Sequence, residues 1–324
     1  LARNLHITYM EWELKRERVD DNLLLESLIN KAAQLDDITV AVAVAEDEEV
    51  IEAVTEALKS NLANFILFGD NEKITTILNV KNKDGQKSNK KLTIVHTDSN
   101  TMAAELAVRA VSNKEANVLM KGNITTSVLL KAVLNKEYGL RTGNILSHVA
   151  VFEIPDYNRF TIITDAGMNI APNLEEKAQM IRNAAAIARA VGIEYPKVAP
   201  IAAVEVVNPA MQATVDAAAL TIMNKRGQIT GCIVDGPLAL DNAVSALAAE
   251  HKGIHSEVAG RADILLVPAI EVGNVLYKSL IYFAKAKVGA VIAGAKAPIV
   301  LTSRADSAES KLYSLALAIC SVTK

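Results

Sequence analysis

Apolar residues in this chain gather in short unbroken runs, at 38–44, 64–68, 92–96, 117–120, 148–154, 159–164, 198–207, 229–234, 262–267, 288–292 and 298–301. Each is strand-sized, and most lack the in–out alternation of a half-exposed sheet. Strands buried on both faces read this way, and they belong to parallel sheets covered by helices. The intervening segments carry helical spacing, over 10–35, 46–59, 102–111, 174–191, 210–226, 239–250 and 310–322, with shorter helical stretches after 70, after Thr125 and after Pro268. Asp98, Ser99 and Asn100 are ready caps for one of them. Repeated strand–helix alternation predicts an α/β protein.

One stretch breaks the alternation. Runs 148–154 and 159–164 are joined only by Pro155-Asp156-Tyr157-Asn158, the signature of an antiparallel hairpin. A hairpin inside an alternating pattern suggests an excursion into a second domain, with the boundary at Arg141-Thr142-Gly143. The division expected is 1–142 with 287–324 for one α/β domain and 143–286 for the other.

Composition narrows the classes. At 324 residues, 51% hydrophobic and 22% charged, the chain has the makings of a large core. A net charge of −3 and 4% aromatics argue against a nucleic-acid partner. No apolar run reaches the length of about 20 residues that a membrane span needs. The charged N-terminal segment does not read as a secretory signal, so a cytoplasmic protein is expected. Cys232 and Cys320 sit far apart in apolar runs and read as core residues.

Ligands of parallel α/β sheets lie beyond the carboxyl ends of strands, so polar residues there carry the most information. Asn117–Met120 leads into Lys121-Gly122-Asn123, and then Thr125 and Thr126 open a helix carrying Lys131. A glycine lets a ligand approach the backbone, and a helix start offers unpaired N–H groups to an anion. Asp235 follows another strand; Asn274 and Lys278 lie on the helix after Pro268. Near the C-terminus, the run ending at Leu301 gives way to Thr302-Ser303-Arg304-Ala305-Asp306-Ser307-Ala308-Glu309. Arginine grips phosphate bidentately, and a serine hydroxyl can stabilise developing negative charge. Asp306 and Glu309 have the chemistry of a general base, but their spacing also fits a helix cap with its capping-box partner, worth about 1 kcal/mol. The scattered histidines and cysteines make no metal-ligand pattern, although His148, opening a strand, is a candidate site residue against a structural alternative. The lysine-rich stretch 81–91 reads as a solvated loop.

Taken in order, these motifs resemble one family. Met120-Lys121-Gly122-Asn123-Ile124-Thr125-Thr126, Thr164-Asp165 with Asn169, Asp235-Gly236-Pro237-Leu238, Ala262-Asp263-Ile264-Leu265-Leu266-Val267-Pro268, Gly273-Asn274-Val275-Leu276-Tyr277-Lys278, Gly294-Ala295-Lys296-Ala297-Pro298 and Ser303-Arg304 together resemble the phosphate acetyl/butyryltransferases, most closely the butyryltransferase branch. The resemblance implies a two-domain fold like that of isocitrate and isopropylmalate dehydrogenases, with mostly parallel sheets and an active site in the interdomain cleft. It implies reversible transfer of a short acyl group, butyryl or similar, from CoA to phosphate, directly within a ternary complex. Acyl-CoA and phosphate would be the small-molecule substrates, no cofactor would be permanently bound, and a homodimer or a multiple of it would be the assembly. Ser303 and Arg304 inherit the family's catalytic pair. Two positions depart from the family: a helix arginine falls on Lys131, and the aspartate thought to deprotonate the CoA thiol falls on Ser310. Two other functions are weighed: a metal- and NAD-dependent hydroxy-acid dehydrogenase of the same fold, and a non-catalytic domain binding acyl-CoA or acyl phosphate. The first needs converging aspartates, but Asp165, Asp235 and Asp241 form no single motif.

Overall fold

The computed structural model describes residues 24–81, 90–301 and 307–322. Its strands form one 11-stranded sheet. A first parallel block contains β1 (Thr39–Ala43), β2 (Asn64–Gly69), β3 (Leu92–His96), β4 (Val118–Lys121) and β11 (Ile299–Val300), in the order β3-β2-β1-β4-β11. A second parallel block contains β6 (Thr161–Thr164), β7 (Lys197–Pro200), β8 (Ile233–Val234) and β9 (Ile264–Leu266), in the order β6-β9-β7-β8. Between them run β5 (Ser147–Glu153) and β10 (Lys287–Ala293), antiparallel to each other and to their outer neighbours β6 and β11. The predicted hairpin is thus present as β5–β6, but it joins the two parallel blocks into one sheet.

Several helices start where a side chain satisfies one of their unpaired N–H groups. Asp47 accepts from Val50 N to open α2 (Glu48–Lys59), which follows α1 (Leu25–Ala33). After α3 (Asn71–Lys81), Ser99 accepts from Met102 N to open α4 (Asn100–Ser112). Then comes α5 (Thr126–Val133), and Asn173 and Glu176 form a reciprocal capping box at the start of α6 (Leu174–Ala190). The remaining helices are α7 (Gln212–Lys225), α8 (Leu240–Val244), α9 (Ala246–His251), α10 (Ile270–Tyr282) and α11 (Ala308–Cys320).

Several expectations change. The run at 198–207 is strand only to Pro200; Val206 and Val207 are exposed, because the chain leaves the sheet after the isolated Ile201–Leu238 bridge. The run at 229–234 shortens to β8, since Gly231 turns the backbone with φ +74°. The single helix expected over 239–250 is two, because Ser245 is extended and caps α9 through Ala248 N. The predicted helix at 10–35 is described only as α1, and most of the 81–91 loop lies outside the described residues.

Alternate residues of each strand face opposite sides of the sheet. On one face, Val42, Met120, Val149, Val151, Ile162 and Leu266 join a single apolar core under both blocks. On the other face the core is divided. Ala41, Ala43, Leu119, Ile292 and Ile299 belong to one cluster, and Ala150, Phe152, Ile163, Leu265 and Val288 to a second.

Candidate active site

A cavity of about 820 Å³ opens on the divided face. β10 supplies part of its lining from alternate positions, Val288, Ala290 and Ile292, and His148 adds to it from β5 beside Ile292. One wall is the loop Ala166–Met168; another is α10, through Asn274, Tyr277 and Lys278. Lys121, Thr125 and Thr126 bring the end of β4 and the start of α5 to it, and Ser307, Ser310 and Ser314 the start of α11.

The loop wall is tied down by Asp165, which is 1% exposed. Its Oδ1 accepts from the backbone N–H groups of Gly167 (2.7 Å) and Met168 (2.8 Å). Its Oδ2 accepts from His148 N (2.9 Å) and Asn169 Nδ2 (2.7 Å), while Asn169 also donates to Leu146 O at 2.9 Å. Gly273 of α10 packs close behind, where an added Cβ would lie 2.3 Å from Asp165 O. One buried carboxylate therefore fixes the loop to β5 and sets it beneath α10.

Of the predicted site residues, Lys121, Thr125, Thr126, Asn274 and Lys278 come together around this cavity. Lys121 is buried and donates to Gly122 O at 3.3 Å; Asn274 Nδ2 donates to Ala166 O at 3.4 Å. Thr125 is the N-cap residue of α5, but no side-chain bond caps that helix, and its hydroxyl meets Ser127 at 3.1 Å. Gly122 does not line the cavity. Its missing Cβ admits the Val44 carbonyl, which an added methyl would meet at 2.0 Å. Lys131 is exposed and Asp235 half-buried, and neither lines the cavity.

Ser303, Arg304 and Asp306 lie outside the described residues. Glu309 accepts from the Tyr313 hydroxyl at 2.8 Å, stands 3.7 Å from Lys287 Nζ, and does not line the cavity. Burial, followed by the Glu309 bond, pushes the Tyr313 phenol up to about 12, and the bond to Tyr313 raises Lys287. The cap of α11 is Ser307, accepting from Ser310 N at 3.1 Å, in place of the Asp306–Glu309 capping box.

The residues that sequence reasoning passed over are those the tertiary fold assembles. Gly167 and Met168 sit in a loop with no motif of its own chemistry. The β10 positions vanish inside an apolar run, since burial on both faces erases the alternation that would mark the cavity side. Ser314 gave no signal, and Ser310, noted only as the position where the family carries an aspartate, lines the cavity with Ser307. His148, weighed at the outset against a structural role, does line the cavity.

A family model described as "Phosphate acetyl/butaryl transferase" matches residues 23–319. The chain belongs to this family. It is 61% identical to a "Probable phosphate butyryltransferase" of Bacillus subtilis (strain 168), over 91% of this chain and 97% of that protein. It is 51% identical to a "Phosphate acetyltransferase" of Thermotoga maritima, over 86% of this chain and 93% of that protein. Among solved structures it resembles a branched-chain phosphotransacylase from Enterococcus faecalis V583, with a TM-score of 0.76, 39% identity, and coverage of 88% of this chain and 99% of that one. Relatives more than half identical to the chain thus carry names with different acyl groups.

Proposed function

We propose that this member of the family is a phosphate acyltransferase that moves a short acyl group, butyryl or close to it, between CoA and inorganic phosphate. Leu301 and Ser307 carry the reading: the described residues on either side of Thr302–Asp306 both line the cavity shared by Lys121, Lys278 and the start of α5. In the forward direction a phosphate oxygen attacks the thioester carbonyl carbon, a C–O bond forms, the C–S bond breaks, and the thiolate takes up a proton. Arg304 holds phosphate, assisted by the cationic Lys121 and Lys278. Ser303 and backbone N–H groups stabilise the oxyanion of the tetrahedral intermediate. In reverse, a thiol of pKa about 8.5 must lose its proton before attacking the acyl phosphate. Glu309 is engaged by Tyr313 and Lys287, which leaves Asp306 as the proposed acceptor.

The finer architecture belongs to the same proposal. The two parallel blocks, with β10 counted in the first and β5 in the second, are read as two domains, 1–142 with 287–324 and 143–286, and the cavity as the cleft between them. The assembly is a homodimer or a multiple of it, and the exposed Val275, Tyr282 and Phe283 of α10 and its C-terminus are apolar surface available for one. A cytoplasmic setting accords with Cys232 and Cys320 being free thiols.

The test mixes the protein with phosphate and acyl-CoAs from acetyl to pentanoyl and follows thiol release; no phosphate-dependent release with any of them defeats the proposal. Ser303→Ala and Arg304→Ala should each lower kcat by roughly a hundredfold or more with folding intact. Turnover untouched by either would place catalysis elsewhere, and a non-catalytic binding domain would show no turnover to lose.

A further inference from the structure

The apolar end of the cavity contains a step built from small side chains. In the β10–β5 register, Val288 stands opposite Phe152, Ala290 opposite Ala150, and Ile292 opposite His148. Directly opposed residues of an antiparallel pair share a face and stand side by side. Two methyl groups therefore lie between two much larger pairs. Phe152 and Ala150 are fully buried, Val288 and Ile292 nearly so, whereas Ala290 is half-buried and borders the cavity.

Tyr277 roofs this step. Its ring meets Phe152 edge-on at 5.2 Å between centroids and His148 at 5.9 Å, so it spans from one large pair to the other above the alanines. The floor carries no unsatisfied donor at this point. β11 stops at Val300, and the Ala290 N–H that would face a longer β11 is taken by Ser314 Oγ at 2.9 Å. The result is a short trough floored by the Ala290 methyl, flanked by Val288 and Ile292 and bordered by the Tyr277 ring, opening into a cavity whose other walls carry Lys121 and Lys278.

We propose that this trough receives the acyl chain and that Ala290 sets how long a chain it accepts. The inference rests on the acyl-transfer reading above. Burying a methylene is worth roughly fourfold in an equilibrium or specificity constant, so the two that distinguish butyryl from acetyl give a preference on the order of fifteenfold if both are buried. A leucine at 290 would occupy the space those carbons use.

The experiment measures kcat/KM for acetyl-, butyryl- and hexanoyl-CoA with the full-length enzyme, Ala290→Leu and Ala290→Gly, each checked for folding by thermal unfolding. Ala290→Leu should lower the butyryl-to-acetyl ratio by about tenfold or more. Ala290→Gly, which adds space and no clash, should raise the hexanoyl-to-butyryl ratio severalfold. A merely structural residue would lower all three constants together and leave both ratios unchanged, and that result overturns the proposal. If Ala290→Leu does not fold, the glycine variant alone decides. Phosphate-dependent turnover by the unsubstituted enzyme with unchanged ratios in the variants rejects only the trough; absence of turnover with every acyl group rejects the acyl-transfer reading and the trough with it.

Discussion

Replacing Asp165 by asparagine tests whether one carboxylate holds the cavity wall. Asp165 accepts four hydrogen bonds, from Gly167 N, Met168 N, His148 N and Asn169 Nδ2. If the amide oxygen keeps the two loop N–H groups, the new NH₂ faces His148 N at 2.9 Å and Asn169 Nδ2 at 2.7 Å, donor against donor. The reverse orientation sets it against Gly167 and Met168 instead. Hydrogen bonds to a charged group contribute about 1.5–3 kcal/mol each, so losing two costs about 3–6 kcal/mol. Removing a buried charge returns part of its desolvation cost, and the net expectation is a loss of about 2–4 kcal/mol. Turning the Asn169 amide would restore one contact only by breaking its 2.9 Å bond to Leu146 O. Urea unfolding followed by circular dichroism should show a lower midpoint at unchanged m. Because Ala166, Gly167 and Met168 line the cavity, kcat/KM should fall at least about tenfold as well. An unmoved midpoint with kcat/KM within about twofold would refute the argument.

Three further outcomes follow from buried charge and burial. Lys177 of α6 and Asp216 of α7 pair at 2.6 Å with side chains 7% and 11% exposed; Lys177→Met or Asp216→Leu alone should cost about 3–5 kcal/mol, while the double substitution recovers most of it. A strictly additive double-mutant cycle in urea would contradict this. Burial pushes the Cys232 and Cys320 thiols up to about 11, so at pH 8 about one thiol in a thousand is thiolate; a disulfide reagent should label the native protein slowly and both thiols quickly after unfolding, and fast native labelling would speak against it. The folded state holds the Tyr313 proton more tightly than the ordinary 10.0 of an unfolded chain, so unfolding between pH 10 and about 12 releases a proton and stability falls as pH rises through that window. Tyr313→Phe should flatten that decline in a series of urea midpoints, and an unchanged slope would count against the assignment.

Element type was readable along most of the chain because unbroken apolar runs and capped helical spacing are local signals. β1 and β3 are announced by their own apolar runs, and the start of α6 by its own capping residues. The failures are tertiary or stereochemical. Val206 and Val207 belong to an apolar run but have no strand to pair with once the chain leaves β7. Gly231 is a small residue in sequence and a turn in space. The site shows the same division. Lys121, Thr125 and Thr126 stood out because strand ends and helix starts are where α/β sheets meet ligands, and Asn274 and Lys278 through the polar positions of the helix after Pro268. Gly122 looked like a ligand approach, and the contact its missing Cβ admits is with the Val44 carbonyl. Ala290 gave no signal, since the role proposed for it lies in what it lacks beside its neighbours.

The two faces of β10 carry different obligations. Gly289 lets the backbone of α11 at Tyr313 come so near that an added Cβ would lie 3.0 Å from it, and Val291 belongs to the core that runs unbroken under both blocks. Val288, Ala290 and Ile292 look the other way, into the cavity. On the reading proposed above, heredity can act on what this strand accepts at one position, Ala290, while Val288 and Ile292, nearly fully buried in their own clusters, and the odd positions answer to the fold. A lineage adopting a new substrate would then rewrite a single methyl-bearing position and leave its neighbours to keep the molecule standing.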